Sequence, residues 1–232
     1  FWLSEYLDLY LGLPAQGLGA FETILLFTIT ITFVQDLFSY FVHFMMHKIP
    51  LLWEFHKVHH SASSLNPVTQ YRIHPVELIL NNIRATVILG VVMGVFDHLS
   101  NHHVHELTFM GANVFSFAFL TWGANLRHSH VKLRYFNWLE NILISPFQHQ
   151  IHHSDKPEHF NKNMGAKFAF WDLIFGTLVR SRRVKSIKFG LGEETKDYGS
   201  LFQNLWVPFK KEAQLIHGSI RKVFINRSKG KD

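Results

Sequence analysis

From Leu107 to Leu126 the chain runs twenty residues without one charged side chain. A stretch of that length, coiled as a helix, reaches across a hydrocarbon layer of roughly 30 Å. Inside lipid only a helix or a closed barrel satisfies its own backbone polar groups, so this segment constrains the fold more than any other. Phe21 to His47 is a second such run, interrupted only by Glu22 and Asp36 and ended by Pro50. A third starts at Pro75, becomes fully apolar after Arg84 and continues to about Phe96. The expected fold is all-α: a polytopic membrane helical bundle carrying a helical cap on one side. One domain is expected over 1–232, with its core at 21–180 and a basic C-terminal tail at 181–232. Residues 1–13 and 168–179 read as short amphipathic helices.

Composition adds exclusions. With 47% hydrophobic and only 17% charged residues, the chain is too apolar to be disordered. Mean hydropathy is only +0.06, because apolar spans and polar segments average out. The net charge of +6 collects towards the C-terminus, at Arg180, Arg182, Arg183, Lys185, Lys210, Lys211, Arg221 and Lys222. No nucleic-acid-binding motif accompanies it, and beside apolar spans it reads as attraction to an anionic leaflet. Cysteine is absent, which excludes disulfides and thiolate ligands and leaves nitrogen and oxygen to hold any metal. The first residue is Phe rather than Met, so the natural start is expected upstream and no targeting segment is read.

Charge asymmetry sets an expected orientation. The link "DHLSNHHVHE" (97–106) has Asp97 and Glu106 but no Lys or Arg. Lys48, Lys57, Arg72, Arg127, Lys132 and Arg134 flank the opposite ends of the apolar runs. Positive flanks stay in the cytoplasm, so 97–106 is expected outside and the remaining histidine motifs on the cytoplasmic side.

Those motifs are dense. "SYFVHFMMH" (39–47) sets His43 and His47 one helical turn apart on one face, where both imidazoles can bind one ion. Asp36 lies on the same face and can accept a ring N–H from a ligating histidine. "HKVHHS" (56–61) holds His56, His59 and His60; "HQIHHS" (149–154) repeats the spacing at His149, His152 and His153; His128 closes the long apolar run. Imidazole suits Zn, Cu, Fe and Ni, and nine such ligands exceed what one ion takes. Two neighbouring metals are implied. His98, His102, His103 and His105 rival this density, yet the topology sets them across the membrane.

H-x-x-x-H, then H-x-x-H-H, then a later H-x-x-H-H resembles the fatty acid hydroxylase and sterol desaturase superfamily. The resemblance covers roughly 33–180 and extends to "NPVTQYRIHPVE" (66–77), "HSH" (128–130), "NKNMG" (161–165) and "WDLIFGT" (171–177). It implies an integral-membrane oxygenase with two iron ions on the cytosolic face, zinc being a possible substitute in a purified sample, and O₂ as cosubstrate. The implied ligands are His43, His47, His56, His59, His60, His128, His149, His152 and His153, with His74 of the H-P pair as a tenth candidate. His130 stands where H-S-N is more usual and reads as a neutral exchange. Glu77 and Arg84, seven apart on one helical face, read as an ordinary ion pair.

Such a centre inserts oxygen into, or desaturates, a C–H bond of a membrane lipid: sterol, fatty acyl or related. Phe33, Phe38, Phe41, Phe44, Phe115, Phe117 and Phe119 are candidates to line its tunnel, most of them reading equally as lipid-facing or core residues. No G-x-G-x-x-G follows a strand, so electrons are expected from a separate cytochrome b-type protein or ferredoxin/flavin reductase. Two other readings stand beside this one: zinc binding or transport without redox chemistry, and a metal-dependent hydrolase, for which the nearby acidic residues Glu54 and Asp155 lack a partner motif.

Overall fold

The computed structural model describes residues 2–10, 17–100 and 123–229, and these are helical apart from turns and two isolated bridges, Leu143 to Phe168 and Ser154 to Phe189. In chain order come α1 (Trp2–Tyr10), α2 (Ala20–Lys48), α3 (Pro50–His60), α4 (Pro75–Leu99), α5 (Asn125–Arg127), α6 (Pro146–His152), α7 (Phe170–Ile174) and α8 (Leu201–Lys229). The apolar run at 107–126 lies outside the described residues except for its last four, as do Phe115, Phe117, Phe119, His102, His103 and His105.

Two described helices, α2 and α4, are long and apolar enough to cross a membrane. With 29 residues, α2 is about 43 Å long at 1.5 Å per residue. Phe27, Ile31 and Val34 of α2 recur at i, i+4 and i+7 and meet Ile88, Val92 and Phe96 of α4, with Phe27 edge-on to Phe96. Their outer faces expose Leu25, Ile29, Phe33, Phe38 and Phe41 on α2, and Ile79, Ile83 and Val87 on α4. In a bilayer apolar helices would have no reason to prefer each other over lipid, and close packing with polar contacts would have to fasten the seam. Gln35 Nε2 donates to Ala85 O at 2.8 Å across it. Helix α1 lies against α4, where a Cβ on Gly94 would come within 2.7 Å of Leu3.

The chain breaks between α2 and α3 at Ile49 (φ −91°, ψ 114°), because Pro50 disfavours helical geometry before it. Pro50 then occupies the first turn of α3, where its missing N–H costs nothing. Two expectations are corrected beyond α6. The helix expected at 168–179 is confined to Phe170–Ile174, since the carbonyl of Asp172 turns back to receive Thr177 N and Leu178 N around Gly176 (φ +71°). The tail expected from 181 carries a helix that was not expected, α8, which begins at Leu201 and is 29 residues long with Pro208 inside it. It packs on α3, where Phe209 meets Phe55 edge-on.

Candidate metal centre

Each H-x-x-H-H motif sits at the C-terminal end of a short helix opened by proline. In α6 the opening is a reciprocal cap: Gln148 N donates to Ser145 Oγ and Ser145 N to Gln148 Oε1. Successive helical residues turn by about 100°, so i and i+4 point nearly together while i+3 points to the other side. The motifs divide accordingly. His56 and His60 join His43, His47 and His152 in one group, and His149 and His153 join His59 and His128 in a second. The middle histidine of each motif thus crosses to the group built mainly by the other part of the chain.

Within each group the candidate ligand nitrogens lie within 4.8 Å of one another. His56 Nε2 is 3.1 Å from His43 Nε2 and 3.2 Å from His60 Nε2. In the second group, His128 Nε2 is 3.3 Å from His59 Nε2 and 3.2 Å from His149 Nε2, which is 3.2 Å from His153 Nε2. Nitrogens each about 2.1 Å from a shared ion, at tetrahedral or octahedral angles, stand roughly 3.0–3.4 Å apart. His47 Nε2 and His152 Nε2 are buried with no protein hydrogen-bond partner. The donor set therefore fits metal. The groups adjoin, with the rings of His60 and His153 stacked at 4.5 Å.

Burial keeps these imidazoles neutral, the form that binds metal. It pushes His56 and His59 down to about 3. His128 is lowered to about 4 by burial and by the neighbouring Arg127 charge, and burial holds His60, His149, His152 and His153 well below the ordinary value.

The outer nitrogens explain motifs that carry no ligand. His43 Nδ1 lies 2.8 Å from Met164 O and His152 Nδ1 2.8 Å from Lys162 O, so the 161–165 loop orients two rings. Asp172 holds that loop by accepting from Met164 N (2.7 Å) and Gly165 N (2.8 Å). Gly165 leaves no room for a side chain, since a Cβ there would collide with Phe168 O. His56 Nδ1 lies 3.0 Å from Glu77 Oε2.

Three sequence assignments change. Glu77 does not pair with Arg84; it stands behind His56, while Arg84 Nη1 donates to Gln35 Oε1 at 2.7 Å. Asp36 meets none of the imidazoles: it accepts from Lys167 N, Phe168 N and Trp171 Nε1, pinning the loop that follows Gly165. His74 joins neither group. It caps α4, its Nδ1 accepting from Val76 N at 3.1 Å while its Nε2 faces Leu205 O of α8 at 3.2 Å. His130 is exposed. His98 sits at the far end of α4, with Nδ1 2.5 Å from Asp8 Oδ1. Glu54 is held by Lys57, at 2.8 Å.

Two cavities reach the histidines. One, of 430 Å³, is bounded by His47, His60, His152, Trp53 and Asp155. The other, of 710 Å³, touches His43, His56, His59, His128 and His149 and follows the α2–α4 seam to Gln35 and Arg84. Among the described residues none borders both. Phe33, Phe38, Phe41 and Phe44 border neither, and the first three are exposed on the outer face of α2.

Residues 28–177 match the family model described as fatty acid hydroxylase. Ornithine lipid hydroxylase OlsE of Rhizobium tropici is 26% identical over 179 residues, covering 75% of this chain and 48% of that protein. Alkylglycerol monooxygenase of Homo sapiens is 28% identical over 142 residues, covering 61% of this chain and 28% of its own length. Its counterpart from Xenopus tropicalis is 25% identical over 157 residues, with 67% and 31% covered. The chain thus spans about half or less of these relatives, and no solved structure matches it. With the family model matched over more than half of its length, and through the histidine motifs themselves, the chain belongs to the fatty acid hydroxylase family.

Proposed function

We propose that the chain is an O₂-dependent lipid hydroxylase of the membrane, with two iron ions held by the nine clustered histidines on the cytoplasmic side. The observation that carries this is the convergence of nine imidazoles, seven of them buried, into two adjoining groups spaced as ligand sets. Iron bound there would supply the O₂ chemistry that replaces a C–H bond by C–OH, the second oxygen atom leaving as water with electrons and protons from a donor. Glu77, Met164 O and Lys162 O fix the rings of His56, His43 and His152, so the nitrogens meet a metal without rearranging. The 710 Å³ cavity along the two apolar helices is the place for the lipid, and its walls keep bulk water from the reacting carbon.

The relatives named for a hydroxylase and a monooxygenase favour hydroxylation over desaturation. The electron donor in this reading is a separate cytochrome b-type protein or ferredoxin/flavin reductase. Metal analysis of the purified full chain, with anaerobic lipid binding followed by admission of O₂, tests the proposal. Two irons per chain, O₂ uptake and a lipid heavier by one oxygen atom are expected. Zinc as the only metal supporting the fold, with no O₂ consumed by the iron-loaded chain, would sink it.

A further inference from the structure

Gln35 and Arg84 face each other across the seam of α2 and α4. Arg84 Nη1 donates to Gln35 Oε1 at 2.7 Å and to Gln35 O at 3.1 Å. The other edge of the guanidinium is not used in this way, for Arg84 Nε is buried without a hydrogen-bond partner. Asp36, the carboxylate whose charge acts on Arg84, already receives three N–H donors. Around the 710 Å³ cavity Arg84, Arg127 and Lys167 stand against Asp36 and Glu77, and Glu77 is committed to His56. An ionisable side chain on a membrane-spanning helix is tolerated where it faces a partner or a polar cavity, and Arg84 stands on a cavity wall where a ligand can meet it.

We propose that Arg84 receives the anionic end of the lipid substrate, a phosphate or carboxylate, on the part of the guanidinium that Gln35 leaves open to the cavity. Arginine suits this because its planar donors match such oxygens in charge-assisted pairs. The inference rests on the lipid-hydroxylase reading of the same cavity and adds substrate class and regiochemistry. Arg84 lies seven residues beyond Glu77, about 10 Å along α4 at 1.5 Å per residue. A lipid anchored there presents to the histidines a C–H near its polar end rather than at its chain terminus.

A purely fastening role for the clasp makes a different forecast: losing Gln35 would then matter as much as losing the charge. The test is equilibrium binding, without O₂, of oleate, dioleoyl phosphatidate and dioleoylglycerol to the full chain in zwitterionic nanodiscs. Wild type should prefer one of the two anionic lipids over dioleoylglycerol by about tenfold or more. Preference for oleate identifies a carboxylate, preference for phosphatidate a phosphate. Arg84→Gln, which keeps an amide donor without the charge, should erase the preference at unchanged metal content; Gln35→Leu, which keeps the charge, should retain it. Equal binding of all three lipids by wild type overturns the inference, and this holds even where Arg84→Gln fails to fold. Retained preference in a folded Arg84→Gln chain, or its loss in a folded Gln35→Leu chain, also overturns it. Because no turnover is measured, an Arg84-dependent preference without oxygen insertion would count against the hydroxylase reading alone.

Discussion

His59 and His60 are consecutive residues whose rings, 5.7 Å apart and nearly perpendicular, belong to different histidine groups. The group of four loses a quarter of its donors with His59, whereas the group of five still has four after losing His60. His59→Ala is expected to drop the metal content from two ions per chain towards one, and His60→Ala to leave it near two. Metal analysis after exhaustive dialysis reads the difference. Equal losses from the two variants would show that the groups do not hold metal independently.

Glu77 holds His56 from outside the cluster at 3.0 Å. Replacing it by Gln keeps the volume and removes the charge that favours an imidazole donating from Nδ1. Metal affinity is expected to fall about 10–100-fold with the helices intact, as read by competition with a chromogenic chelator and by circular dichroism. Unchanged affinity would reduce Glu77 to a packing residue.

Gly165 has a close-approach role that substitution exposes. Gly165→Ala forces a Cβ against Phe168 O and Asp172 Oδ2, and overpacking of this kind costs about 1–3 kcal/mol. At Gly90 a methyl group would enter open space, with nothing within 4 Å, so Gly90→Ala should be neutral or stabilising by up to about 1 kcal/mol. Thermal melting in detergent compares the pair. A Gly165→Ala chain as stable as Gly90→Ala would refute the steric account.

The metal-free chain should be acid-labile. Unfolded histidines take protons as pH falls through about 6.5, whereas folded His56 and His59 resist until about 3 and His128 until about 4. Across that window the unfolded state binds more protons, so stability is greatest above the upper limit and declines towards the lower. Melting temperature should drop between about pH 7 and about pH 5 and recover with bound metal. A flat profile for the metal-free chain would contradict the burial of neutral imidazoles.

His98 closes α4 at the end opposite His74 and faces Asp8 of α1. Changing His98, His102, His103 and His105 together to alanine should leave metal content and turnover near wild type. Loss of metal in that variant would place the 97–106 segment beside the centre.

What the sequence made legible follows from periodicity. Runs at 21–47 and from Pro75 stand out because lipid demands unbroken apolar helices, and the structure has helices at Ala20–Lys48 and Pro75–Leu99. The spacing of His43 with His47 and of His56 with His60 placed each pair on one face by helical geometry alone. Partners distant in the chain were not legible in the same way. Asp36 shares a face with His43, but three N–H groups from 167–171 claim it first. Glu77 shares a face with Arg84, but each finds a nearer partner on another helix, α3 or α2. His74 copies a ligand motif while serving as a helix cap. Helix α8 was missed because Pro208 and its many charges mask an amphipathic period that packing against α3 and the 192–198 turn completes.

Among the described residues the two cavities share no wall residue, so the histidine groups form a partition between separate antechambers. Under the proposed function, a lipid lodged beside Gln35 would leave the passage past Trp53 uncovered, and the centre would stay reachable by small water-borne reagents during occupancy. Loading and supply need not take turns at one doorway.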